Sequence, residues 1–353
     1  MNDYEAAGDT PGADGWGERR FVSNRSNGAG QLVMMQIGLI GIGAGAAAAL
    51  LFASATSGSW LAIVLFYLAP LPIMIAALGW GHWAALIATG AGALSIALVF
   101  GSIYFLAFVA GIGIPAWWLG YLAMLARPAG GAVTAQGAAV PPLEWYPPGR
   151  LVVWAAVLAA AFAVLLNFGI STEGVRDQYA QSVAALFRTE TGHLPDPERS
   201  KRLVAFLVEA IPPAAAVAAT LTYVVNLWLA AFAVKFSGRL ARPWPALSAM
   251  TFPRLAAAAL AIAVMVSFVG GIVGVAGGVL TAALLMAFGV LGFAVLHAIT
   301  QGMNARGFLL GSTYAAVLVF GWPMLALCLV GIVDAVFDLR GRIARKRGPP
   351  APT

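Results

Sequence analysis

Long apolar runs separated by short polar interruptions dominate this chain. No Asp, Glu, Lys or Arg occurs from Ser26 to Ala126, a run of 101 residues. Further uncharged runs cover Leu151–Thr172 (22 residues), Ala210–Val234 (25), Leu255–Ala305 (51) and Gly307–Val333 (27). A helix rises about 1.5 Å per residue and needs about 20 apolar residues to cross the hydrocarbon of a bilayer. The pattern predicts nine candidate spans, near residues 32–54, 59–79, 82–101, 103–126, 151–170, 211–235, 254–270, 275–300 and 308–335. The runs are continuously apolar rather than alternating, which favours helical rods over a β-barrel. The expected fold is an all-α, polytopic transmembrane helical bundle of eight or nine spans.

The polar interruptions divide the chain. Residues 1–31 carry eight charges among Gly, Asp and Asn, with no basic start leading into a short apolar core, and read as a disordered cytoplasmic arm. A four-span bundle is expected over 32–126, then a Pro/Gly-rich cytoplasmic linker over 127–150 that contains Pro141-Pro142 and Pro147-Pro148. A second membrane bundle is expected over 151–338, interrupted by a polar external loop, 171–202, with five basic and five acidic residues. Residues 339–353 form a basic cytoplasmic tail.

Basic residues near span ends set orientation. An internal N-terminus puts Arg127, Arg150, Lys235, Arg239, Arg242 and Arg254 inside. Nine crossings would then send Arg340, Arg342, Arg345, Lys346 and Arg347 outside, against the same rule. Either the last run breaks at Gly321-Trp322-Pro323 into a re-entrant pair, or one earlier candidate does not cross. Both termini are expected in the cytoplasm.

Composition excludes the soluble alternative. Hydrophobic residues make up 61% and charged residues 10%, against about 45–50% and about 25% in soluble chains. So little charge cannot coat a water-facing surface of this size. The net charge of +6 could suggest nucleic acid, but the basic residues gather at span ends, so the expected partner is the lipid bilayer and no nucleic acid. The single cysteine, Cys328, excludes a disulfide framework and a cysteine-rich metal site. Gly41-Ile-Gly-Ala-Gly and Gly111-Ile-Gly-Ile-Pro lie inside apolar spans and follow no strand, so they are not nucleotide-binding turns. With no Gly-x-x-x-x-Gly-Lys-Ser/Thr, nucleotide-driven work would need another subunit. No His-Glu-x-x-His, no Gly-x-Ser-x-Gly and no carboxylate pair within one span occurs. The chain is therefore not expected to be an enzyme, nor to carry a metal or cofactor.

Polar and small residues inside the spans carry the remaining information. Gly41, Gly45, Ala49 and Ala53 repeat every four residues, as do Gly270, Gly274 and Gly278. Such stripes let helices approach closely, either inside the bundle or against a partner subunit. Tyr223 and Asn226 lie three apart and share a helix face. They read as a clamp between helices or as the contacts of a small-molecule solute, since intramembrane polar groups are costly. A solute pocket would lie among the first six spans and open outward. His82, beside Trp80 and Trp83, fits an aromatic belt, while His297 and Gln301 form either a ligand pair or a snorkelling pair. Asp334, Asp338, Arg340 and Arg342 suggest an interfacial ion cluster anchoring the last helix.

Leu68-Ala-Pro-Leu-Pro-Ile-Met, followed by Gly79-Trp80-Gly81, resembles the turn after the second span in the YybS-like polytopic bacterial membrane proteins. The closing stretch, His297, Arg306-Gly307 and Gly331-Ile-Val-Asp334-Ala-Val-Phe-Asp338-Leu-Arg340, resembles that family's end. This likeness implies a multi-pass protein of the bacterial inner membrane and brings no established activity. A more distant similarity is to the substrate-binding S-components of energy-coupling-factor transporters, whose Ala-x-x-x-Ala docking motif Ala49 and Ala53 would match. That implies a transporter-like solute-binding subunit and a coupling ATPase complex as partner, although two or three spans after about residue 250 depart from the pattern. The alternative is a non-transporting scaffold or assembly factor for cell-envelope proteins.

Overall fold

A computed structural model describes residues 15–128, 143–170, 181 and 197–347. Among the described residues seven helices are long and apolar enough to cross a membrane: Met34–Ser57, Trp60–Trp80, His82–Phe100, Ser102–Ala123, Pro148–Asn167, Glu209–Phe236 and Gly271–Ile299. Large apolar side chains stay exposed along them, including Leu50 (74%), Leu98 (79%) and Phe236 (90%). A surface of this kind suits lipid and not water. The chain is an all-α, multi-pass membrane protein.

Its first helix, α1 (Gly15–Ala53), begins inside the segment expected to be an unstructured arm, while residues 1–14 lie outside the described ones. The second span is two helices, α2 (Trp60–Tyr67) and α3 (Pro70–Trp80). Pro70 has no N–H to continue the ladder, so the break falls immediately before it. α4 (His82–Phe100) follows. The fourth span joins α5 (Ser102–Phe108) to α6 (Ile114–Ala123) through a π-helical turn at Val109–Gly113, just ahead of Pro115.

The expected linker begins and ends in a small antiparallel ribbon, β1 (Ala126–Pro128) with β2 (Leu143–Trp145), closed by an Arg127–Glu144 ion pair. The intervening part of that linker, and most of the expected external loop, lie outside the described residues. α7 (Pro148–Ile170) and the long α8 (Pro197–Phe236), which continues through Pro212-Pro213, come next. Two apolar cores meet on these helices. One gathers Ala155, Ala159, Tyr223 and Val234 with α1, α3, α4 and α6. The other gathers Val152, Ala156, Ala160 and Ala216 with the later helices. The seam between cores therefore runs along α7 and α8 rather than through the linker.

The remaining helices leave the expected count of eight or nine spans unconfirmed. Residues 254–270 give only α9 (Arg254–Ser267), 14 residues long, or about 21 Å at 1.5 Å per residue. α10 (Gly271–Ile299) is a full-length span. The 308–335 run is not one span but α11 (Arg306–Phe320) and α12 (Pro323–Phe337), broken where Gly321 takes φ 71° and Pro323 starts a new helix. A short α13 (Leu339–Arg347) closes the described chain. Among the described residues seven full-length spans are found rather than eight or nine, because the last apolar residues fold into short helices.

Four connections meet at one end of the bundle. The Arg242 guanidinium donates to the carbonyls of Ala123 (3.0 Å) and Tyr146 (2.9 Å). Arg340 donates to those of Ser248 (2.7 Å) and Met250 (2.8 Å). Lys235 lies 4.6 Å from the Trp244 ring centre, and Arg239 4.7 Å from that of Trp80. This is the basic end of the molecule.

Candidate functional site

A cavity of about 540 Å3 lies where α7, α8 and α10 converge beneath the 237–253 connection. Its walls include Leu151, Val152 and Ala155 on α7, Leu221, Tyr223, Val225 and Trp228 on α8, and Val290, Ala294 and His297 on α10, with the α8 residues spread over more than one helix face. Three of the α8 residues are also exposed, Leu221 by 44%, Val225 by 41% and Trp228 by 46%. The cavity therefore opens sideways, through the surface that faces lipid.

Its polar groups collect toward the basic end. Arg242, Ser248, His297, Arg306 and Tyr314 line that part, while most of the remaining wall is apolar. His297 Nε2 lies 3.0 Å from Tyr314 Oη, and the Tyr314 ring stacks on Phe293 with centroids 4.7 Å apart. Burial lowers the Arg242 pKa from the ordinary arginine value, yet a guanidinium remains cationic near neutrality. Among the described residues neither Arg242 nor Arg306 has a carboxylate partner. A volume in the usual range for small-molecule sites, apolar walls and a few convergent polar groups make this cavity the candidate site.

The residues singled out in the sequence are distributed differently. Tyr223 and Asn226 are both almost fully buried on α8. Tyr223 Oη donates to the Gly111 carbonyl at 2.7 Å, and Asn226 Nδ2 to the carbonyls of Tyr67 and Thr222, each at 2.8 Å. Proline explains both long-range acceptors. Pro115 has no N–H to offer Gly111 one turn back, and the α2–α3 break before Pro70 frees Tyr67, since Leu71 N–H donates to Leu68 instead. These two side chains clamp the interrupted spans to α8. Tyr223 also contributes to the cavity wall, whereas Asn226 is not part of it.

The first small-residue stripe is used internally. A Cβ on Gly41 would lie 2.8 Å from the Ala84 carbonyl, and one on Gly45 would collide with that of Ala88, so α1 packs directly on α4. Ala49 is buried along the same side, and Ala53 is half-buried. The second stripe divides. Gly270 forms the turn, Gly274 and its neighbour Gly277 contact α9, and Gly278 has open space beside it. A closer junction that the sequence did not reveal joins Gly289 and Gly292 to α12, with Gly331 reciprocating against the Phe288 carbonyl.

The ion cluster is a pair rather than a quartet. Asp334 and Arg340 form a buried bridge at 2.7 Å that fastens α12 to the 247–250 turn. Asp338 adopts a left-handed conformation and accepts from the Gly341 N–H, and Arg342 is in no ion pair among the described residues. His82 does sit in an aromatic cluster, with Tyr121 at 5.4 Å and Trp83 at 5.0 Å. No group of His, Cys, Asp and Glu among the described residues could hold a metal ion.

No family model matches this chain. Neither do curated proteins nor solved structures. The functional reading therefore stands on the cavity. Sequence reasoning missed Arg242 and Ser248 of the 237–253 connection and Arg306 and Tyr314 of α11. The readable signal was charge flanking apolar runs, in Arg242-Pro-Trp-Pro and at Arg306.

Proposed function

We propose that this protein is a solute-binding subunit of the bacterial inner membrane, transporter-like, whose site is the cavity between α7, α8 and α10. One observation carries the reading: the 540 Å3 apolar space with its polar groups at one end. The proposed role is binding rather than catalysis. The site differs in place from the pocket expected among the first six spans, since α10 supplies one wall and the basic connections its roof.

In this proposal α9 completes a short eighth crossing, α11 and α12 enter and return as a re-entrant pair, and both termini lie in the cytoplasm. Support comes from the basic residues gathered at one end. A partner subunit, including a coupling ATPase, belongs to the same proposal but would need a face other than Gly41–Ala49, which α4 covers. The scaffold alternative draws mainly on open small-residue faces and is weakened for the same reason.

The purified full chain in mild detergent is expected to retain a small molecule, detected by native mass spectrometry, that Val290→Trp displaces. Absence of any retained molecule, together with equal binding of a hydrophobic fluorescent probe by wild type and V290W, would overturn the proposal.

A further inference from the structure

The chemistry of the cavity narrows its occupant. Its lining includes exposed residues of α8 and the half-exposed Tyr314 of α11, a helix on which no described residue is buried, so its side opening lies along them. A molecule entering there comes from the bilayer and not from water. Toward the basic end it meets two guanidinium groups and the His297–Tyr314 pair. The nearby carboxylates are already engaged: Glu144 by Arg127, and Asp334 by Arg340. Asp338 faces its own helix turn at Gly341. Two arginines with no carboxylate partner among the described residues, Arg242 already donating to two carbonyls and Arg306 the freer of the two, make the end of this apolar cavity complementary to an anion carried on an apolar tail. A neutral apolar solute would leave both charges unmatched, and a free anion would leave the apolar walls unfilled.

Resting on the cavity reading above, we propose that the occupant is a membrane lipid whose phosphate head carries a net negative charge. The head lies at Arg306, with Arg242, His297 and Tyr314 around it, and the tail runs along the groove of Val225, Trp228 and Val290. Arginine suits this role because its planar fork donates two parallel hydrogen bonds to phosphate oxygens. Tyr314 Oη and His297 Nε2, already 3.0 Å apart, add one donor between them.

Short-chain phosphatidylglycerol and phosphatidylcholine with identical tails, and inorganic phosphate, are titrated onto the full-length protein in non-ionic detergent. Native mass spectrometry reads the bound fraction. Wild type is expected to prefer phosphatidylglycerol about tenfold, the scale of one charge-assisted contact. Arg306→Gln should abolish the preference, Arg306→Lys should keep only part of it because a point charge replaces the fork, and Val290→Trp should abolish binding of both lipids. Thermal unfolding of each variant separates a lost site from a lost fold. Equal affinity for the two lipids, with V290W still blocking both, overturns the anionic head and leaves the cavity reading standing. Inorganic phosphate binding as tightly as phosphatidylglycerol overturns the lipid as source. Failure of wild type to bind either lipid overturns the proposal, and retained sensitivity of a hydrophobic probe to V290W would then show that the cavity still binds.

Discussion

Proline and its answering side chains organise the middle of this protein. In hydrocarbon a freed backbone carbonyl has no water to turn to, so another donor must reach it. Tyr223 and Asn226 supply that donor across 112 and 159 residues of sequence. Tyr223→Phe keeps the ring in the cavity wall and removes only the hydrogen bond, so it should cost about 1 kcal/mol of stability and leave ligand retention unchanged. Denaturation in detergent, alongside native mass spectrometry, checks both. Asp334→Asn should cost more, about 3 kcal/mol, because it strips a buried Arg340 of its counter-charge; a comparable melting temperature for D334N and wild type would refute that role. The sequence marks Tyr223 and Asn226 as costly polar groups and even places them on one face. It does not disclose their acceptors, because which carbonyls Pro70 and Pro115 leave open near α8 depends on tertiary packing.

Elements pack here by backbone proximity. α1 meets α4 through Gly41 and Gly45, and α10 meets α12 through Gly292 and Gly331, where added Cβ atoms would strike carbonyls. Gly45→Val should therefore push α1 off α4 and destabilise the fold by about 1–3 kcal/mol, as overpacking generally does. Gly278→Ala has open space and should be neutral or slightly stabilising, since alanine is the better helix former. A large loss of thermal stability in G278A would show that the second stripe is a packing face after all. The four-residue repeat was readable in both stripes, yet only contact with a neighbour distinguishes a seam from a coincidence in an alanine- and glycine-rich helix. Helix breaks were partly readable too: Gly321-Trp322-Pro323 does end a helix, whereas the division of 102–123 around a π turn needs the packing of Phe162 over Gly111 to be seen.

At the scale of the whole molecule, two cores share α7 and α8, and the cavity sits against that shared pair. The membrane class and the approximate position of each long span were legible, because charge is excluded from hydrocarbon at a cost no other feature overrides. The cavity was not, because its charged roof comes from connections far apart in sequence. In the proposed topology short α9 still crosses, and the basic connections over the cavity face the cytoplasm. Impermeant maleimide labelling tests it in a cysteine-free background made with Cys328→Ala, using Val269→Cys at the turn after α9 and Met303→Cys beyond α10; both positions are exposed. In intact spheroplasts V269C should label readily and M303C only after permeabilisation. Labelling of both from the same side, or of M303C alone in intact spheroplasts, would contradict the account.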